Sequence, residues 1–415
     1  MSIEKKWLTD EYWVTPFNYL EESRSMLALP PDNRVYIHDV TIREAEQAPG
    51  IVFTKDEKLA IAKALDRLGV YSLETFPVVS KDDREVTRQI VDLKLNAKVV
   101  CLARWLKEDI DTVANCGAYR VIVENVANPW TCNVMWGLSE DDIIQRFVEA
   151  VRYAKSLGLH TVAMPWDDFR VPLSFLERLY KAIVFEGGAD AVAISDTSGN
   201  SLPWTTMMII KRLREWIPGT PIHMHAHNEF GLATAAMLSA VAGGASFVHT
   251  AINGLGSRGG NAATEEVAVG LELLLGVDTG LRLNQLYPTC QLVSEIAKTP
   301  IPRNKAIIGS NLFTYVAGLS VFMFEKARAA GRPFAYVPFL PEMVGKDGYD
   351  IVLGKLSGRT AVRLFLDEIG VELTDDQVAR LTQIVKEEAI IRKSIISRQT
   401  FKQLVNRILE EDSHA

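Results

Sequence analysis

Between about residue 34 and residue 275, short apolar runs alternate with stretches of helical periodicity, and this alternation limits the fold more than any other feature. The runs fall at 35–37, 70–73, 99–102, 120–123, 161–164, 191–194, 222–224 and 247–252. Between them, stretches such as 55–68, 140–157 and 234–242 carry apolar residues at three- and four-residue spacing, the mark of a helix with one buried face. Eight strands with intervening helices over about 240 residues match an α/β (β/α)8 TIM barrel in size and count. A doubly wound sheet would want fewer strands or a nucleotide-binding glycine turn. The glycine clusters GGADAV and GLGSRGGN do not follow a first strand as that turn must.

The barrel is assigned to residues 34–275. Residues 1–33 carry Trp7, Tyr12, Trp13, Phe17 and Tyr19, enough apolar surface to cap one end of it. Residues 276–415 read as a mainly helical C-terminal domain with loops, broken by GRPFAYVPFLPEMVGKDGYD. At 415 residues the chain suits one large barrel plus an appendage. A formal net charge of −7 argues against a nucleic-acid or anionic-membrane partner, since either needs a basic face. No apolar run approaches the roughly 20 residues of a membrane span. The opening MSIEKKWLTDEYW lacks a signal-peptide core, and Cys101, Cys116, Cys132 and Cys290 show no CxxC spacing. The cytoplasm is the plain reading.

The sharpest local signal is HMHAHNE, residues 223–229, at the end of the seventh strand. Alternate residues of a strand share a face, so His223, His225 and His227 can project together toward the barrel mouth. Two imidazoles at this spacing can hold adjacent positions on a divalent cation; the alternative is strand histidines satisfied by hydrogen bonds. Asp39 ends the first strand and leads into a polar cluster of Thr41, Arg43, Glu44, Glu46 and Gln47. Asn261 follows a glycine-rich loop after strand eight, as a ligand or as a helix cap.

Together these segments resemble the metal-dependent condensing enzymes, namely 2-isopropylmalate, homocitrate and citramalate synthases, with HMG-CoA lyase a more distant cousin. The family's DTTLRDGEQ is DVTIREAEQ here (39–47), its HxHND is HAHNE (225–229), and its GIGERAGN is GLGSRGGN (254–261). LAR stands at 102–104 and SDTSG at 195–199, and IPRNKAIIGSNLF and VLGKLSGR follow the second-domain sequences. The resemblance implies Asp39, His225, His227 and Asn261 as ligands of a divalent metal (magnesium, manganese, zinc or iron), with His223 behind them. It implies Arg43 beside the substrate carbonyl, stabilising the developing alkoxide, with Glu44 in the same catalytic cluster. Arg104, Thr197, Glu74 and Gln47 are the candidate substrate-binding residues.

The implied reaction is a Claisen-type condensation of an acyl-CoA with a 2-oxo acid. The rivals are a lyase or aldolase running the same bond in reverse, and a non-catalytic metal-binding relative. The loop carries Ser257 and Arg258 where the lyases have a cysteine, which favours synthesis. The synthases' second-domain histidines are replaced by Ser320 and Leu356. The proton on the acyl-CoA methyl must then go elsewhere, and Asp167, after strand five, is the first candidate, ahead of Asp168 and Glu74. Trp130, Trp136 and Trp166 are candidates for an aromatic pocket. The resemblance further implies a homodimer, for which the apolar segment 312–324, with Phe313, Tyr315, Phe322 and Phe324, offers a contact. No leucine-responsive regulatory domain is expected.

Overall fold

A computed structural model describes residues 6–413. Eight parallel strands close into a barrel in chain order: β1 (Tyr36–Asp39), β2 (Ser72–Thr75), β3 (Lys98–Arg104), β4 (Arg120–Val126), β5 (His160–Trp166), β6 (Ala191–Asp196), β7 (Ile222–Ala226) and β8 (Phe247–Thr250). β8 closes onto β1 with Tyr36 opposite Phe247 and Asp39 opposite Thr250. The strands are short and β-branched, and most are buried on both faces, as a parallel sheet covered by helices requires.

The helices begin and end where local chemistry dictates. Lys55–Leu68 starts with a Thr54–Glu57 capping box and stops at Gly69, whose φ of +97° only glycine adopts easily. Glu140–Ser156 repeats the box with Ser139 and Asp142. Strand alternation sorts the side chains. Cys101, Ala103, Val121 and Val123 face outward onto helices, while Val100, Leu102, Ile122, Val162 and Met164 fill one half of the barrel interior. The other half is polar, with His38, Ser72, Glu74, His223 and His249 all buried.

The chain forms two compact units, one spanning Thr15–Ile301 and the other joining residues up to Val14 with those from Pro302 onward. Of the N-terminal stretch, Tyr19 and Arg24 bond to the carbonyls of Leu273 and Leu275 in the barrel unit, whereas Tyr12 bridges Phe339 in the other. The second unit holds the helices Gly318–Ala329, Arg359–Ile369, Asp375–Arg392 and Arg398–Ser413 around a core that includes Val321, Phe365, Leu381 and Phe401. That core corrects the reading of segment 312–324 as a contact surface. Tyr315 and Phe324 belong to it, and Phe313 packs on Phe339 and Tyr349, leaving Leu319, Phe322 and Met323 exposed. Among the described residues no helix is long and apolar enough to cross a membrane.

Candidate active site at the barrel mouth

A cavity of about 300 Å³ opens at the C-terminal ends of the strands, where barrel proteins carry their chemistry. Arg43, Glu44 and Gln47 enter it from the short helical turn after β1. Leu102, Glu124, Met164 and Trp166 line the opposite wall, and Thr197, His225, His227 and Arg258 complete it. A second cavity of about 320 Å³ shares Arg43, Gln47 and Phe76 with the first.

The imidazoles of His225 and His227 meet with their Nε2 atoms 3.4 Å apart. Burial holds both pKa values down, His227 to about 4, so both are neutral at physiological pH. The Nδ1 of His227 lies 3.2 Å from the Gly260 carbonyl, which accepts its proton and leaves Nε2 with a free lone pair. Glu44 brings Oε1 to 3.8 Å from that Nε2, and this oxygen is buried with no hydrogen-bond partner. Asn261 Oδ1 is likewise buried and unpartnered, its Nδ2 donating to Leu255. A side chain at residue 256 would destroy this corner. A Cβ on Gly256 would lie 2.1 Å from Asn261 Nδ2 and 3.1 Å from Glu44 Cγ.

Among the described residues no three His, Cys, Asp or Glu side chains are already gathered as a metal cage. Two neutral imidazoles, one carboxylate oxygen and one amide oxygen, the oxygens orphaned, nonetheless fit a divalent cation of borderline or hard character.

Asp39 is not part of this group. Its Oδ1 accepts from the Thr41 backbone N–H at 2.9 Å, and Oδ2 lies 3.2 Å from Thr264 Oγ1. Burial raises its pKa to about 7 against these bonds. The cause is strand parity. His38 points into the barrel, so its neighbour Asp39 points away, and the turn that follows brings Glu44 back over the mouth. His223 is also removed from the pair: it stacks on Phe247 at 4.1 Å and bonds through Nδ1 to His249 Nε2 at 3.0 Å.

Arg43 is held from two sides. Nε donates to Glu74 and Nη1 to Glu44, while Nη2 is buried without a partner. Glu74 in turn accepts from His38 Nε2 at 3.0 Å. Burial pushes Glu74 up, but Arg43 and His38 outweigh it and keep the carboxyl below its usual range. Glu74 therefore positions Arg43 instead of reaching the cavity. Gln47 donates to Glu44 at 3.3 Å, and the Thr197 hydroxyl accepts the Asp167 backbone N–H at 2.8 Å.

Two candidates are turned elsewhere. Arg104 forks onto Asp109 at 2.7 and 3.0 Å. Asp167, in the left-handed region at φ 64°, accepts two bonds from Arg170, at 2.6 and 2.8 Å, and one from Asn128 at 3.0 Å. Both oxygens of Asp167 are engaged by Arg170, and the side chain does not line the cavity. Asp168 is likewise spent on Tyr180 and the Ser195 N–H. Of the tryptophans, Trp166 lines the cavity, whereas Trp130 and Trp136 lie on an exposed helix, Pro129–Trp136. In the second unit Ser320 accepts from the Tyr336 hydroxyl at 2.6 Å, and Leu356 is exposed.

Sequence reading missed Glu124. It stands in the cavity wall at the mouth end of β4, and burial raises its pKa to about 7, with Arg43 and Trp166 opposing. The signal was available in RVIVENV, where Arg120, Ile122 and Glu124 share the inward face.

Fold and mouth define a (β/α)8-barrel protein with an imidazole–carboxylate–amide corner beside a buried arginine. Residues 34–293 match the HMGL-like family and residues 307–393 match the homocitrate synthase post-HMGL domain-like family. The chain belongs to the HMGL-like family. Homocitrate synthase AksA of Methanopyrus kandleri is 36% identical over 94% of this chain and 96% of its own length. The probable 2-isopropylmalate synthase of Ignicoccus hospitalis is 38% identical over 93% and 95%. The (R)-citramalate synthase CimA of Methanocaldococcus jannaschii is 36% identical over 91% and 76%. HMG-CoA lyase of Bacillus subtilis superposes with a TM-score of 0.59 at 23% identity, over 66% of this chain and 97% of that one, a likeness of fold.

Proposed function

We propose that this protein is a divalent-metal-dependent condensing enzyme joining an acyl-CoA, of which acetyl-CoA is the first choice, to a 2-oxo acid to give a 2-hydroxy dicarboxylic acid. The observation that carries the reading is the corner of Glu44, His225, His227 and Asn261 set beside Arg43. Similarity to synthases along nearly the whole chain supports it, as does the meeting of two cavities at Arg43.

Glu44, His225, His227 and Asn261 would hold the cation, which when bound acts as a Lewis acid on the 2-oxo acid. Arg43 keeps Nη2 free to donate to the alkoxide that develops as the carbonyl is attacked. Thr197 offers a hydroxyl to the substrate carboxylate. Glu124 takes the proton from the acyl-CoA methyl, because it is the cavity carboxylate with a pKa near the working pH and no cationic partner at bonding distance. Asp167, the base suggested by sequence, is occupied by Arg170.

The reading is tested by free-thiol release from acetyl-CoA with a panel of 2-oxo acids, using protein stripped by chelator and reloaded with magnesium, manganese, zinc or iron. Release only with metal and with one or a few 2-oxo acids is expected. Silence with every pairing would overturn it, and cleavage of a 3-hydroxy-3-methyl acyl-CoA would move the protein to the lyases. Within the active system, Arg43→Lys is expected to lower kcat by about 10²–10³, since a compact ammonium cannot reproduce the planar fork that bonds Glu74 and Glu44 while aiming a third nitrogen elsewhere. A variant with wild-type kcat would remove Arg43 from the chemistry.

A further inference from the structure

The barrel is open at its other end as well. Where the strands begin, a cavity of about 320 Å³ reaches inward from a half-buried rim that includes Tyr71, Arg120, His160 and Phe247. Its inner wall is aliphatic on one side, at Ile122 and Val162, and polar on the other, at His223. The hollow is open to solvent at this rim and large enough for a small organic molecule.

The charge at its rim is unbalanced. Arg120 stacks over Tyr71 at 5.8 Å but forms no ion pair among the described residues. It pairs with His160 in the β4–β5 register, so two nitrogen-rich groups stand side by side at the rim. Asp190, the carboxylate that acts on His160, is already committed to Lys155 and the Thr161 N–H, each at 2.7 Å. Burial and the Arg120 charge both press the His160 pKa down, leaving that ring neutral and able to donate. Deeper in, the His38 ring is bonded to Ser72 at 2.7 Å and to Glu74 at 3.0 Å.

The geometry points to a second binding site, distinct from the mouth, for a small monocarboxylate with an apolar body. The carboxylate pairs with Arg120 and accepts from His160, and the apolar part lies between the Phe247 ring and the Ile122–Val162 wall. The volume admits a single ring with a short chain and excludes a coenzyme A. No keto group and no metal are needed, so the site does not depend on the proposed reaction.

Ligand-observed saturation-transfer NMR with 3-phenylpropanoate and 4-methylpentanoate, which lack the chelating keto group, tests this directly. Saturable binding of at least one is expected, with no binding of the matching amide. Arg120→Gln should weaken it at least tenfold, and Ala191→Leu, which fills the cavity, should abolish it while the protein still melts cooperatively. Chelator and Arg43→Lys should leave it unchanged. The site is refuted if neither acid binds, if Ala191→Leu binds as tightly as wild type, or if binding follows Arg43 or the metal instead of Arg120.

Discussion

Glu124→Gln is expected to lower kcat by roughly 10²–10⁴ and to abolish deuterium exchange into the acyl-CoA methyl, while bound metal stays at wild-type level. The side chain lines the mouth, and burial raises its pKa to about 7 against the pull of Arg43 and Trp166. A base works deprotonated, so kcat/KM of the wild type should fall as pH drops below about 7. Stability carries the opposite sign. A carboxyl whose folded pKa lies above its unfolded value binds more protons when folded, so its contribution is lost as pH rises through about 7. Replacing it with glutamine should therefore raise Tm relative to wild type more at pH 8 than at pH 5. Asp167→Asn provides the contrast. It weakens the pair with Arg170 and should cost stability while leaving methyl exchange measurable. Exchange lost in Asp167→Asn and retained in Glu124→Gln would reverse the assignment.

Much of the barrel was legible in the sequence, because a parallel strand covered on both sides must be a short apolar run, and every such run became a strand. His225, His227 and Arg43 were legible too, since they lie at a strand end or within a distinctive motif. What failed was the direction of side chains just past a strand. Asp39 and Asp167 both follow an inward-facing residue, His38 and Trp166, and so turn away, toward Thr264 and Arg170. Counting alternation from the buried histidine would have predicted this for Asp39. Arg104 was drawn off by a carboxylate five residues on, Asp109, in the first turn of the next helix, which no strand pattern reveals. Within segment 312–324, Phe313, Tyr315 and Phe324 are covered by their own unit while Phe322 is exposed, because apolar content alone does not say what covers a residue.

Removing the Glu44 carboxylate, as in Glu44→Ala, is expected to weaken divalent-metal binding by more than about 100-fold, since even outer-sphere partners of a metal typically cost 10–100-fold. Asp39→Asn should leave metal binding near wild type. Glu44 Oε1 is a buried carboxylate oxygen without a hydrogen bond beside the His227 ring, a costly arrangement unless something positive shares the corner. Asp39 has both oxygens bonded to protein groups, and neither is orphaned as Glu44 Oε1 is. Its own effect should appear in stability. With a folded pKa near 7, the native state holds a proton that the unfolded chain releases near 4, so Asp39 costs stability as pH rises through that window. Asparagine keeps the bonds to Thr41 and Thr264 without the buried charge. Asp39→Asn should accordingly match wild type in Tm at about pH 4 and exceed it at pH 8. Titration calorimetry with manganese or zinc on stripped protein, alongside the melts, separates the two carboxylates. Loss of metal in Asp39→Asn with retention in Glu44→Ala would return the ligand role to Asp39 and leave Glu44 as the partner of Arg43.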